Sequence, residues 1–214
     1  MGGAVGVVPL ESRLDLPLVD LHGEPMFVHS VRALLGAPGV DRVVVTVGET
    51  SGPAVERTLA RIGLRVDVTR ALAFWQDPPT TGLLVLADPL CPLVPADFVA
   101  RVVAAADRGD DRPAAVAGYR PVTDTVKTVV DQQIVGTLDR DRLAVVASPV
   151  ALPAHLLSAG PPPVHDFGLL AAWLRERGGL ELLRAPSMAR RVGDESALRV
   201  LECLDELGRR VHEA

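Results

Sequence analysis

Short, almost continuously apolar runs alternate along this chain with stretches whose apolar positions recur every three or four residues. "VGVVP" (5–9), "RVVVTV" (42–47), "RVDVTR" (65–70) and "LLVLAD" (83–88) read as buried parallel strands, which show apolar runs rather than strict alternation. Between the first two, Phe27, Val28, Val31, Leu34 and Leu35 fall on one helical face, and Gly36 supplies a stop. "GPAVERTLARIG" (52–63), with Pro53 at its start, and "PADFVARVVAAADRG" (95–109) repeat that helical pattern. The rhythm predicts an α/β protein with a Rossmann-like, doubly wound, mostly parallel sheet.

After "AAVAGYRP" (114–121) the pattern changes. "TVKTVVDQQIVGTLD" (125–139) reads as two β segments around a turn, a hairpin with no helix behind it. Its apolar side needs cover, and a second subunit is one solution. "LAVVASP" (143–149), a proline-rich loop (159–166), a helix (167–177), a strand "LELLR" (180–184) and a C-terminal helix bearing Leu198, Leu201, Leu204 and Leu207 complete the chain. Without internal repeats or a low-complexity linker, residues 1–214 are expected to form one domain with an arm at about 121–149.

Composition narrows the function classes. The chain is 48% hydrophobic but 3% aromatic, so its core is expected to be Val, Leu and Ala. A net charge of −5 argues against a nucleic-acid-binding module. Two distant cysteines, Cys91 and Cys203, form neither a disulfide framework nor a metal knuckle. No apolar run approaches the ~20 residues of a membrane span, and the N-terminus carries no signal-peptide pattern. A cytoplasmic protein without membrane or nucleic-acid partners is expected. The five histidines show no metal-ligand spacing. Cys91 reads as a small buried hydrophobe or, alternatively, a reactive thiol. Lys127 is the single lysine; the other 21 of the 22 basic residues are arginines.

The order of "VVP" (7–9), "GEPMFVHSVRALL" (23–35), "DRVVVTV" (41–47), "VLADPLCPLVP" (85–95), "DTVK" (124–127), "GTLDRDRL" (136–143) and "ASP" (147–149) resembles the 2-C-methyl-D-erythritol 4-phosphate cytidylyltransferases of isoprenoid biosynthesis. The resemblance implies a nucleotidyltransferase fold and a homodimer joined by interlocking hairpin arms. It also implies transfer of a cytidylyl group from CTP to methylerythritol phosphate, with Mg²⁺ as cofactor. By resemblance, Thr125, Lys127 and Arg140 stand where arm residues reach the sugar-phosphate site. Asp166 matches a further substrate-binding position, and Asp88 matches the metal-coordinating acid of the family's His-Asp-Ala-Ala-Arg-Pro motif. Each has an ordinary alternative: a surface lysine on a hairpin for Lys127, an N-cap or loop carboxylate for Asp88.

Departures from the family pattern concentrate on the nucleotide side. The family's Pro-Ala-Ala-Gly-x-Gly-x-Arg loop and the Pro-Lys that follows bring backbone N–H groups and positive charge to the triphosphate. Here "VVPLESRLDLPLVDLHGEPM" (7–26) is shorter, has lost those glycines and the lysine, and gains Glu11. Arg13 remains as the candidate catalytic arginine of the loop, with Arg191 of "RRVG" (190–193) at the position of the lysine in the late Phe-Lys-Ile-Thr motif. The base-binding helix has shrunk to "ALAFWQDPPTTG" (71–82), whose Phe74 and Trp75 are either a stacking platform or a hydrophobic plug. In "LADPLC" (86–91) the family's histidine has become Ala87 and its arginine Cys91. A charge-assisted hydrogen bond to phosphate is worth about 1.5–3 kcal/mol. Losing several removes on the order of 10 kcal/mol from a transition state, at about tenfold in rate per 1.4 kcal/mol.

Two functions fit. One is a divergent homologue with weakened or lost CTP chemistry, acting as a binding or regulatory dimer, with itself or with a family paralogue. The other is an active Mg²⁺-dependent nucleotidyltransferase with an altered donor or acceptor, for which CTP and methylerythritol phosphate are the reference substrates.

Overall fold

The computed structural model describes residues 3–11, 15–108 and 115–212. Its strands are β1 (Ala4–Leu10), β2 (Asp20–Leu21), β3 (Glu24–Pro25), β4 (Val40–Val47), β5 (Asp67–Arg70), β6 (Leu83–Leu86), β7 (Ala115–Pro121), β8 (Val126–Val130), β9 (Gln133–Leu138), β10 (Ala144–Pro153) and β11 (Leu180–Arg184). The helices are α1 (Met26–Leu35), α2 (Gly52–Arg61), α3 (Ala71–Gln76), α4 (Ala96–Ala106), α5 (Phe167–Arg175) and α6 (Glu195–His212).

Seven strands form the main sheet in the order β11-β7-β10-β6-β1-β4-β5. β10 runs antiparallel to both its neighbours, and the other pairings are parallel. The chain moves from β1 through α1 to β4 and on to β5, then returns to place β6 on the other side of β1. That reversal opens the crevice at which such sheets bind ligands, outside the strand C-termini.

Both faces of the sheet are covered. On one, Val8, Leu10, Val45 and Val85 pack with Phe27, Val31 and Leu34 of α1, Val55 of α2 and Phe98 of α4. On the other, Val7, Leu84, Leu86, Ala117 and Leu152 pack with Leu170 and Leu174 of α5, and with Phe74 and Trp75 of α3. A third cluster joins Leu16, Leu21, Met26 and Leu90 to Val192, Leu198 and Leu201, fastening α6 to the loops. Burial by apolar side chains on two faces explains why the central strands lack polar alternation.

Four details differ from expectation. The segment after β5 still forms a helix, the six residues of α3. Leu35 lies at the C-terminal end of α1 and is 45% exposed, so the buried face of that helix ends at Leu34. Leu198 and Leu201 of α6 are buried, whereas Leu204 and Leu207 are exposed, because α6 meets the body only along its first half. The strand β10 continues to Pro153 and, against the parallel rule, wedges between β6 and β7.

The β8–β9 hairpin forms a separate two-stranded sheet. Its turn residues Asp131 and Gln132 both adopt positive φ, as a two-residue I′ turn requires. Val129, Val130, Ile134, Val135 and Leu138 all lie exposed along it. A two-stranded hairpin of this kind is marginal in water without an apolar surface to lie on.

Gly118 sits where β7 approaches β10 and α4 together. A Cβ there would lie 3.0 Å from the Ala147 carbonyl oxygen, 3.1 Å from the Ser148 carbonyl oxygen and 3.0 Å from the Phe98 ring. Two of those contacts are backbone and cannot rotate away. Gly118→Ala is expected to lower stability by about 1–3 kcal/mol, read as a shifted urea midpoint with an unchanged slope.

Candidate functional site

The parallel strands end at the same edge of the sheet. β6 delivers Asp88, which is 4% exposed. Its backbone is fixed from two sides: its N–H donates to Ser148 Oγ at 3.1 Å, and its carbonyl accepts from Ser30 Oγ at 3.3 Å. Its carboxylate is fixed as well. Oδ1 accepts the Leu90 N–H at 2.9 Å, and Oδ2 accepts Arg191 Nε at 2.7 Å. Arg191 arrives on a loop pinned by the Val192 N–H donating to the Leu90 carbonyl at 2.7 Å. Burial works against the Arg191 charge, but the charge and hydrogen bond of Asp88 outweigh it and hold the guanidinium pKa above its ordinary value.

This arrangement does not suit a divalent cation. Mg²⁺ binds through one or two carboxylates together with substrate phosphates, yet both Asp88 oxygens are engaged and a guanidinium stands against one of them. Among the described residues no group of three His, Cys, Asp or Glu side chains gathers at metal-binding distance. Cys91, three residues on, is 2% exposed. Burial, then the Asp88 charge, pushes its thiol well above the ordinary range, so it packs as a neutral hydrophobe and is no reactive thiolate.

Asp166 caps α5: its Oδ1 accepts the N–H groups of Gly168 at 2.8 Å and Leu169 at 3.0 Å. The Leu169 N–H does most to lower its pKa, burial opposes it, and the Gly168 N–H adds to the lowering. Asp166 and Arg191 also sense each other's charge, so Asp88, Arg191 and Asp166 belong to one neighbourhood. The arm residues stand apart. Lys127 Nζ donates across the hairpin to Thr137 Oγ1 at 2.7 Å, and Arg140 Nη1 donates to the Thr123 carbonyl at 2.7 Å. Thr125, Lys127 and Arg140 are exposed, and among the described residues no hydrogen bond or ion pair ties them to Asp88, Arg191 or Asp166. Arg13 lies outside the described residues.

On the other side of the crevice, β1 leads into Glu11. Its Oε1 accepts from Thr46 Oγ1 at 2.9 Å and from Trp75 Nε1 at 2.8 Å. Trp75 and Phe74 meet edge to face, with ring centroids 4.8 Å apart, and both lie against the sheet. Both rings are half-buried, and the indole N–H is engaged by Glu11. The partners Thr46, Ser30 and Ser148 escape the sequence reading. Thr46, fully buried inside an otherwise apolar strand, is the one with a visible signal.

Residues 10–161 match the family model described as 2-C-methyl-D-erythritol 4-phosphate cytidylyltransferase. The chain belongs to this family. Its curated relatives include the cytidylyltransferase of Symbiobacterium thermophilum, 35% identical over 65% of this chain and 61% of the relative. The Streptomyces coelicolor enzyme is 31% identical over 86% of this chain and 73% of the relative. The match to the first of these therefore spans about three fifths of that relative's length. Among solved structures, the 4-diphosphocytidyl-2C-methyl-D-erythritol synthase of Anaerococcus prevotii superposes with a TM-score of 0.73 at 13% identity, covering 95% of this chain and 96% of the other. The cytidylyltransferase of Thermus thermophilus gives 0.72 at 18% identity, covering 95% and 98%. These likenesses establish the cytidylyltransferase fold over nearly the whole chain.

Two outcomes follow from this geometry. Glu11→Ala removes the acceptor of a buried threonine and of the Trp75 indole, and is expected to cost about 1–3 kcal/mol, with a shift in tryptophan emission on the same samples. For Asp166 the lowered pKa means that its capping contribution is present above the ordinary aspartate value of 3.8 and fades as pH falls through the folded value. Asp166→Ala is expected to cost about 1 kcal/mol at neutral pH. Chemical denaturation of variant and wild type across pH is expected to show that difference vanishing in acid.

Proposed function

We propose that this family member has lost ordinary CTP chemistry and acts as a binding dimer that retains the acceptor side of the site. The observation that carries the reading is the Glu11 carboxylate at the end of β1, held by Thr46 and Trp75. An ionised carboxylate there repels a triphosphate, and the indole it anchors fills space a base would need. The engagement of Asp88 by Arg191 and the Leu90 N–H supports the same conclusion. In this reading the Asp88, Arg191 and Asp166 neighbourhood receives the ligand. Thr125, Lys127 and Arg140 reach the corresponding site of a partner, either a second copy or a family paralogue. The exposed Val129, Val130, Ile134 and Val135 of the hairpin supply an apolar surface for that pairing.

A second reading, an active transferase with an altered donor or acceptor, draws on one observation. The Arg191 side chain is 44% exposed, so it can leave Asp88 without crossing packed core. Pyrophosphate release from CTP, ATP, GTP and UTP with methylerythritol phosphate and Mg²⁺ separates the two, with Asp88→Asn as control. The expected result is no release above the Asp88→Asn background from folded protein. Release that Asp88→Asn abolishes would sink the first reading and establish the second.

A further inference from the structure

Helix α6 carries two apolar stripes, and the body of the protein uses one of them. Leu198 and Leu201 pack into the cluster with Leu16, Leu21, Met26 and Leu90. At mid-helix, polar contacts to the turn between β2 and β3 fix its rotation. The His22 N–H donates to Glu202 Oε1 at 3.4 Å, and His22 Nε2 meets Asp205 Oδ2 at 3.0 Å. With that side held against the body, the helix turns a second stripe outward. Val200, Leu204 and Leu207 recur at four and three residues, the spacing of one helical face, and all three are exposed. Cys203 borders this stripe and is exposed as well. Single exposed apolar residues are ordinary, but a row of them along a helix marks an interaction surface.

A row of charges flanks the stripe on the Cys203 side and points to its partner. Glu195, Arg199, Glu206 and Arg210 follow one another at four, seven and four residues, so at 3.6 residues per turn they share one side of the helix. Their signs run minus, plus, minus, plus; from the opposite end the row reads plus, minus, plus, minus. When two copies of α6 lie antiparallel, the same flank of each helix meets. Arg199 then faces Glu206 of the second copy, and Glu195 faces its Arg210, each pair occurring twice. A parallel pair sets the row against the other flank, where Ala197 and Gly208 lie, and gains no such match. Among the described residues Arg199 and Glu195 have no ion-pair partner, and Glu206 reaches Arg210 only at 4.0 Å.

We propose that the outer face of α6 binds α6 of a second copy of this chain, antiparallel, about a two-fold axis that passes between Glu202 and Cys203. The charge row sets the axis, because Arg199 and Glu206 share their midpoint with Glu195 and Arg210. A two-fold contact is isologous, so one self-complementary stripe is sufficient. Val200, Leu204 and Leu207 of the two helices cover one another, and the two Cys203 side chains come together beside the axis. One helix pair is a small interface, of the weakly associating class. The β8–β9 hairpin takes no part in it, so the contact does not depend on how the hairpin is covered.

The test is the molar mass of the full chain across a concentration series, by sedimentation velocity, together with a short bismaleimide cross-linker. It is run in the Val130→Glu/Ile134→Glu background, which removes association through the hairpin. The expected result is a mass that still rises with concentration and a cross-link between two copies of Cys203, since Cys91 is buried. Cys203→Ser is expected to abolish the cross-link while the mass still rises. Arg199→Glu brings like charges together at both of its pairs and is expected to weaken association about tenfold. Glu206→Arg is expected to do the same, and the double variant Arg199→Glu/Glu206→Arg to restore association, a rescue that a parallel or purely apolar contact would not give. Circular dichroism of each variant checks that the helix is intact. A mass that does not change with concentration overturns the proposal. So does association without a Cys203 cross-link, or a double variant no tighter than either single one.

Discussion

A nearly buried carboxylate at the end of a central strand must have its charge answered, and the rest of the site is arranged around how Asp88 meets that requirement. Its oxygens take a backbone N–H from Leu90 and the guanidinium of Arg191, 103 residues away in sequence. Its own backbone is held by Ser148 of β10 and Ser30 of α1. One residue thus ties β6 to α1, to β10 and to the loop before α6. Removing one member of a buried pair strands the other's charge, at about 3–5 kcal/mol when both are fully enclosed and less for a half-exposed arginine. The same contacts that stabilise the crevice occupy both Asp88 oxygens.

The two sides of the crevice satisfy their charges in different ways. On the β1 side the polar groups satisfy one another: Glu11 accepts from Thr46 and Trp75, and the carboxylate stands where incoming negative charge would be repelled. On the β6 side the Asp88 carboxylate is answered by the Arg191 guanidinium and the Leu90 N–H. Fold alone does not distinguish these outcomes; the side chains at the strand ends do.

Much of this was legible in the chain. Apolar runs at 42–47 and 83–88, the helical spacing at 27–34 and the turn between two β segments at 126–138 are local signals, and local physics placed them correctly. What escaped depends on contacts between distant segments. Insertion of β10 antiparallel between β6 and β7 leaves no trace in the run "LAVVASP", which is compatible with either direction. The exposure of Leu204 and Leu207 reflects where the body ends beneath α6, a matter of shape and not of periodicity. Asp88 was visible as a strand-end acid, but its pairing with Arg191 was not, because no spacing rule connects residues so far apart. Arg13, the loop arginine of the sequence reading, falls outside the described residues.

Lys127 illustrates how a conspicuous residue can be local in its effect. It stands out in the sequence as a single lysine among arginines, yet in this chain it spans the hairpin to Thr137, its direct cross-strand neighbour. Pairs of this kind contribute only about 0.2–1 kcal/mol, too little to stabilise a hairpin exposed on both faces. The arm must therefore gain its stability from whatever covers Val129, Val130, Ile134 and Val135. The same arm carries Lys127 and Arg140, so these two cations and the exposed apolar side chains lie on one projecting element.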